Sequence, residues 1–194
     1  YFSKDWHPIG FDEVSTYLED AKLSFATSAE VSSSVDAINL TMDQKEIIDK
    51  TNDITLREML NDFFKNRTFR KDYWIRGNRK LSISEKFEEV LNFSFVATSD
   101  IEKFDFKLKG PAGEASLSKE VYGPILEQFG QKKMFVGSDL FTVLHKKFGL
   151  EKDQLVEAIS ILTSKKTIFP ANKHQSIKSC EKTCNQLNKK LIAL

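Results

Sequence analysis

Asp62, Arg67 and Arg70 fall within nine consecutive residues, Asp62-Phe-Phe-Lys-Asn-Arg-Thr-Phe-Arg70. An arginine presents a planar fork of donors that meets a carboxylate in two parallel hydrogen bonds. Two arginines beside one aspartate can do one of two things. They can lock the exit of a helix from within, with Phe69 as a plug in the core. They can instead hold a group brought from outside, with exposed aromatics near Tyr73 and Trp74 completing the surface. Paired charges at element ends are more often structural than functional, so the first reading takes precedence. A cationic partner would use Asp62 and the acidic surface of the middle region.

Other chemistries find less support. His7, His145 and His174 have no Ser or Cys context that suggests an activated nucleophile. His174, Cys180 and Cys184 could supply three zinc ligands, but a zinc site needs a fourth and tighter spacing. Cysteines on an apolar helical stripe are expected to be small core residues. The adjacent carboxylates Glu19-Asp20 and Glu88-Glu89 diverge on a helix and make no acid–base dyad. No Gly-x-Gly-x-x-Gly follows a strand, and no phosphate-binding loop is present. No catalytic residue, cofactor-binding residue or metal ligand is therefore assigned.

A length of 194 residues with 40% hydrophobic side chains, 16 of them Phe, suffices for one good core or two small ones. The 29 basic and 28 acidic side chains leave a net charge of +1, which gives no global attraction to nucleic acid or an anionic membrane. No run of 18 apolar residues exists, so no membrane span is expected. Two cysteines four apart build no disulfide framework, and a reducing, cytoplasmic setting is the expectation. The opening, Tyr-Phe-Ser-Lys-Asp-Trp-His-Pro, is neither a signal peptide nor an initiator-Met start. The chain is expected to be a piece of a longer polypeptide.

Periodicity and caps give the elements that would position these residues. Phe11, Val14, Tyr17, Leu18 and Ala21 recur at helical spacing, predicting a helix over 11–21 with an extended segment at 23–26. Thr41 or Asp43 caps a brief helix through Lys50. Asp53 or Thr55 caps the next, whose apolar face is Leu56, Leu60, Phe63 and Phe64. A strand over 71–76 follows, ended by Gly77-Asn78. Ser84 caps a helix over 85–91, and 93–97 reads as a strand. Phe104, Phe106 and Leu108 alternate with Asp105, Lys107 and Lys109, predicting a hairpin that turns at Gly110-Pro-Ala-Gly113.

From Ser118 the rhythm becomes helical. Val121, Ile125, Leu126 and Phe129 make one helix stopped by Gly130. A strand at 134–136 leads to a helix over 140–148, capped by Ser138 or Asp139 and stopped by Gly149. Another helix over 150–162 is followed by a strand that ends at Pro170. Helix, strand, helix, helix, strand is the order of a winged-helix-like module. A final amphipathic helix carries Ile177, Cys180, Cys184, Leu187, Leu191 and Leu194.

The stretch Asp62-Phe-Phe-Lys-Asn-Arg-Thr-Phe-Arg70 resembles the Asp-Phe-x-x-Asn-Arg-x-Phe-Arg signature of the bacterial methyltransferase regulatory domain. Upstream, Trp6 and Pro8, the helix from Phe11, then Ala21-Lys22-Leu23 and Phe25 resemble that family's connector. The resemblance extends from about Phe2 to Pro170, with Asp72-Tyr73-Trp74 departing from a plainer aliphatic run. It implies a domain that follows an S-adenosylmethionine-dependent methyltransferase domain in one polypeptide, some members acting on protein lysines. The methyl donor would bind that missing catalytic domain, not this fragment. The partners implied are the catalytic domain in cis and a protein substrate, with no membrane.

The expected architecture is α+β. Residues 1–31 form a connector, with Trp6, Pro8 and Phe11 at the interdomain contact. Residues 32–117 form a mixed regulatory region with a β-hairpin, 118–172 a winged-helix-like module, and 173–194 a C-terminal amphipathic helix. Asp62, Arg67, Phe69, Arg70, Tyr73 and Trp74 are the candidate substrate or interdomain contacts. The rival is a winged-helix DNA-binding transcriptional regulator. Glu151, Asp153 and Glu157 on the helix that would enter the groove count against nucleic acid, despite Lys165, Lys166 and Lys173 nearby.

Overall fold

The computed structural model describes residues 7–172 and 174–192. The chain runs through α1 Phe11–Asp20, β1 Ser24–Ser28, α2 Asp36–Asn39, α3 Met42–Lys50, α4 Ile54–Phe64 and β2 Asp72–Ile75. It continues with α5 Ile83–Asn92, β3 Ser94–Ala97, β4 Lys107–Gly110 and β5 Gly113–Ser116. The last elements are α6 Lys119–Gln131, β6 Met134–Val136, α7 Gly137–Phe148, α8 Lys152–Ser164, β7 Ile168–Ala171 and α9 His174–Ile192. The architecture is α+β. Two compact units divide it, one of residues 7–80 and 106–117, the other of 81–105 with the described residues from 118 onward.

In the first unit β1 and β2 form an antiparallel ribbon, with Phe25 opposite Trp74 and Thr27 opposite Tyr73. The register shifts between Phe25 and Thr27, a bulge that increases the local twist. Helix α3 opens with a reciprocal capping box between Thr41 and Gln44, so two otherwise unpaired backbone donors are satisfied. Asp53 caps α4 by accepting from the Leu56 amide at 2.7 Å. The Arg57 side chain then ties α4 to the end of α3 through the Thr51 carbonyl, at 2.7 and 3.0 Å. The hairpin turns through Pro111-Ala112, and Leu108 is its buried strand residue.

The second unit is built on a three-stranded antiparallel sheet in the order β6-β3-β7. The run α6, β6, α7, α8, β7 follows the expected order, but the middle strand β3 comes from upstream of it. Pro170 sits on β7, which pairs with β3 alone, so its missing amide costs no ladder bond. Ile125, Phe129, Leu140, Leu144, Leu155, Leu162 and Ile168 are fully buried and form the core.

Several local expectations change. Gly130 does not stop α6, which runs to Gln131 with buried Phe129 holding the last turn in the core. Ser82 rather than Ser84 caps α5, because Glu85 lies three residues on and completes a capping box. Helix α7 begins at Gly137 without a side-chain cap. The Gly137 amide instead donates to the carbonyl of Phe93, between α5 and β3, at 2.9 Å, which ties the start of α7 to that junction. Gly149 ends α7 as expected, in the left-handed region at φ 67°.

Tyr122 of α6 is 6% exposed, and burial, followed by the charge on Glu157, pushes its hydroxyl up to about 12. Below the ordinary value of 10.0 both folded and unfolded chains hold the proton. Above it the unfolded chain ionises first, so stability is lost as pH rises through the window up to about 12. The loss should be on the order of 2 kcal/mol. Urea midpoints across that window should fall in the parent chain, and Tyr122→Phe should remove this part of the slope.

Candidate functional site

The segment 62–70 is shaped by the way α4 ends. Asn66 adopts the left-handed conformation, φ 47°, which asparagine tolerates better than most side chains. The Asn66 and Arg67 amides donate back to the Phe63 and Asp62 carbonyls at 3.2 and 2.9 Å. The chain then leaves in an irregular loop from which Arg67 and Arg70 turn inward. Lys65 reaches the other way and donates to the Ser33 carbonyl at 2.7 Å. Burial pushes its ammonium below the usual lysine value.

Arg70 is the hub. Its Nη1 donates to both oxygens of Asp62 at 2.8 Å, its Nη2 to Glu58 Oε2 at 2.7 Å, and its Nε to Asp72 Oδ2 at 2.7 Å. The guanidinium carbon lies 4.4 Å from the centre of the Phe11 ring and 5.6 Å from that of Phe25. Phe11 stacks on Trp74 at 5.4 Å, and Phe25 meets both edge-on. One side chain therefore joins α1, β1, α4 and β2. Burial opposes the charge, but the bonds to Asp72, Asp62 and Glu58 hold Arg70 above its ordinary pKa. It stays a cation.

Arg67 also reaches Asp62, donating from Nη1 to Oδ1 at 3.2 Å. A groove of about 590 Å³ opens beside this pair. It brings together Pro8, Phe11, Asp62, Arg67, Phe69, Arg70 and Trp74 of the residues singled out in the sequence. Tyr73 is not among them. It is exposed on the opposite side of β2 from Trp74, as strand alternation requires. Trp6 lies outside the described residues.

Phe69 does not plug the core: it is 67% exposed and lines the groove, because the two flanking arginines take the inward positions. The expected apolar face of α4 is also only half realised. Leu60 and Phe64 are half-buried, whereas Leu56 and Phe63 are exposed, and the buried position is Asn61. Sequence reasoning missed Glu58 and Asp72 as partners of Arg70. Glu58 was within reach of inspection, since it lies four residues before Asp62 on one helical face.

Elsewhere, His145 ties the end of α7 to the Leu150 carbonyl through Nδ1 at 3.0 Å and stacks on Phe141. Cys180 and Cys184 are exposed on α9 rather than in a core, along with Ile177, Leu187 and Leu191 of the same stripe. Among the described residues no group of His, Cys, Asp and Glu is placed to hold a metal. No helix among them is long and apolar enough to cross a membrane.

Every member of the hub lies between Phe11 and Trp74, and it is this span that matches a known family. The model described as a predicted methyltransferase regulatory domain covers residues 1–76. Residues 1–76 are thus similar to the methyltransferase regulatory domain family. The uncharacterized protein sll1526 of Synechocystis sp. is 32% identical over 188 residues, 97% of this chain and 37% of that protein. The structure of PKMT2 from Rickettsia typhi aligns with a TM-score of 0.54 at 15% identity, over 84% of this chain and 36% of that one. The chain thus spans little more than a third of either relative. The PKMT2 likeness is one of fold, and its extent takes in far more of the chain than the 76 residues of the family match.

Proposed function

We propose that the chain is the accessory, non-catalytic region of a bacterial, cytoplasmic S-adenosylmethionine-dependent methyltransferase that acts on protein lysines. In this reading it positions the protein substrate beside a catalytic domain in the same polypeptide, and the methyl donor binds that domain. One observation carries the reading. The segment 62–70, which bears the family signature, both closes the hub of the first unit and walls an open groove. For the second unit the reading keeps a winged-helix-like module, supported by the order α6, β6, α7, α8, β7, with β3 filling the sheet. Glu151 and Asp153 open α8 and Lys152 is paired with Glu88, which favours a protein contact over DNA.

The test uses the full polypeptide and the same polypeptide with this region deleted. Donor binding should be unchanged, while methyl transfer to the protein acceptor should fall about a hundredfold, as loss of substrate positioning does. Unchanged transfer, or loss of donor binding on deletion, would overturn the reading.

A further inference from the structure

Hydrogen-bonding capacity around the groove is unevenly used. Both oxygens of Asp62 and both of Asp72 accept from Arg70, and Asp62 Oδ1 accepts from Arg67 as well. Arg70 donates from all three of its nitrogens. Arg67 differs. Its side chain is only 10% exposed, yet among the described residues its one hydrogen bond is the 3.2 Å contact from Nη1 to Asp62. A guanidinium carries five N–H donors, so most of the fork has no acceptor among the described residues. No described side-chain nitrogen is shut away from water without a partner, and Arg67 is one of the residues that line the groove.

Every oxygen of Asp62 and Asp72 already accepts from an arginine while Arg67 has donors to spare, a balance that suits an anion. We propose that this groove seats an Asp or Glu side chain of an extended polypeptide segment, its carboxylate on the Nε–Nη2 edge of Arg67. That edge is the bidentate one still open. The apolar residue beside the acid packs against Pro8, Ile9 and Phe69, which are exposed on the same groove, with Trp74 behind them. Its volume falls within the range of about 300–1,000 Å³ typical of ligand clefts. A lysine would have to share carboxylate oxygens with Arg70 and sit beside two guanidinium charges. The inference deepens the substrate-positioning reading: the chain recognises an acidic residue of the partner, away from the atom that is methylated.

The test is calorimetric titration of the 194-residue chain with acetyl-Leu-Glu-Phe-amide and with its Gln and Lys counterparts. The Glu peptide should bind about tenfold more tightly than the Gln peptide, the scale of a charge-assisted pair. Arg67→Gln should bring the two together, and Arg67→Lys should restore only part of the difference, because it keeps the charge and loses the fork. The Glu-to-Gln ratio in the unsubstituted chain decides the matter even if a variant folds poorly. Equal affinities, or preference for the Lys peptide, would overturn the proposal. So would acetate alone binding as tightly as the Glu peptide, which would make the site one for a free small carboxylate. The titration needs neither methyl donor nor catalytic domain, so its failure is separable from failure of the accessory-domain reading.

Discussion

Replacing Arg70 with Ala should lower the stability of the first unit by about 3 kcal/mol, the lower end for breaking a buried ion pair. The side chain is 16% exposed, so water can soften the loss but not cancel it. Removing the guanidinium leaves Glu58, Asp62 and Asp72 facing one another without the cation that drew them together. It also uncovers the Phe11 ring on which the guanidinium lies. Arg70→Lys should recover less than half, since an ammonium has three donors and no fork with which to span three carboxylates. Urea unfolding followed by near-ultraviolet circular dichroism, which reports Trp74 and its ring partners, would measure both. A loss below about 1 kcal/mol for the Ala variant would mean that the pairs behave as surface ion pairs do.

The second large effect lies in the other unit. Gly137→Ala should destabilise it by about 2 kcal/mol, although glycine to alanine in a helix usually gains about 0.4–1 kcal/mol. A Cβ at Gly137 would stand 2.8 Å from both the Cα and the carbonyl oxygen of Leu91, closer than real side chains approach backbone. Backbone cannot swing aside as a flexible side chain can, so the overpacking cost of about 1–3 kcal/mol outweighs the gain. Gly130→Ala in α6 is the control. There an added Cβ meets nothing within 4 Å, and stability should rise by about 0.5–1 kcal/mol. Melting of the two variants side by side checks the sign of each.

Local features were legible in the sequence because their causes are local. Thr41 and Asp53 cap the helices that their spacing predicts, and Gly149 ends α7. What the sequence concealed depended on distant partners. The strand β3 pairs with β6 and β7, some forty and seventy residues away, and nothing in Ser94-Phe-Val-Ala names those neighbours. Phe69 read as a plug by its type alone, yet the inward positions beside it go to arginines whose carboxylates come from α4 and β2.

The Asp62, Arg67 and Arg70 group was visible as a possible pairing, but not how it divides. Arg70 is wholly engaged in joining α1, α4 and the β1–β2 ribbon, while the Arg67 side chain makes one hydrogen bond among the described residues and lines the groove. On this division, substitution of Arg70 acts through folding and substitution of Arg67 acts through recognition. Periodicity at Cys180 and Cys184 was read as a core stripe. In the structure α9 leaves it exposed, because an apolar pattern states what could be covered and not what covers it.

The central claim is that this chain positions and recognises while the methyl donor is held elsewhere in the polypeptide. Titrating the 194-residue chain with S-adenosylmethionine, beside the full polypeptide under the same conditions, tests it most directly. The account predicts saturable one-to-one binding to the full polypeptide and no detectable heat with the chain alone. One-to-one binding of the donor by the chain itself would contradict it.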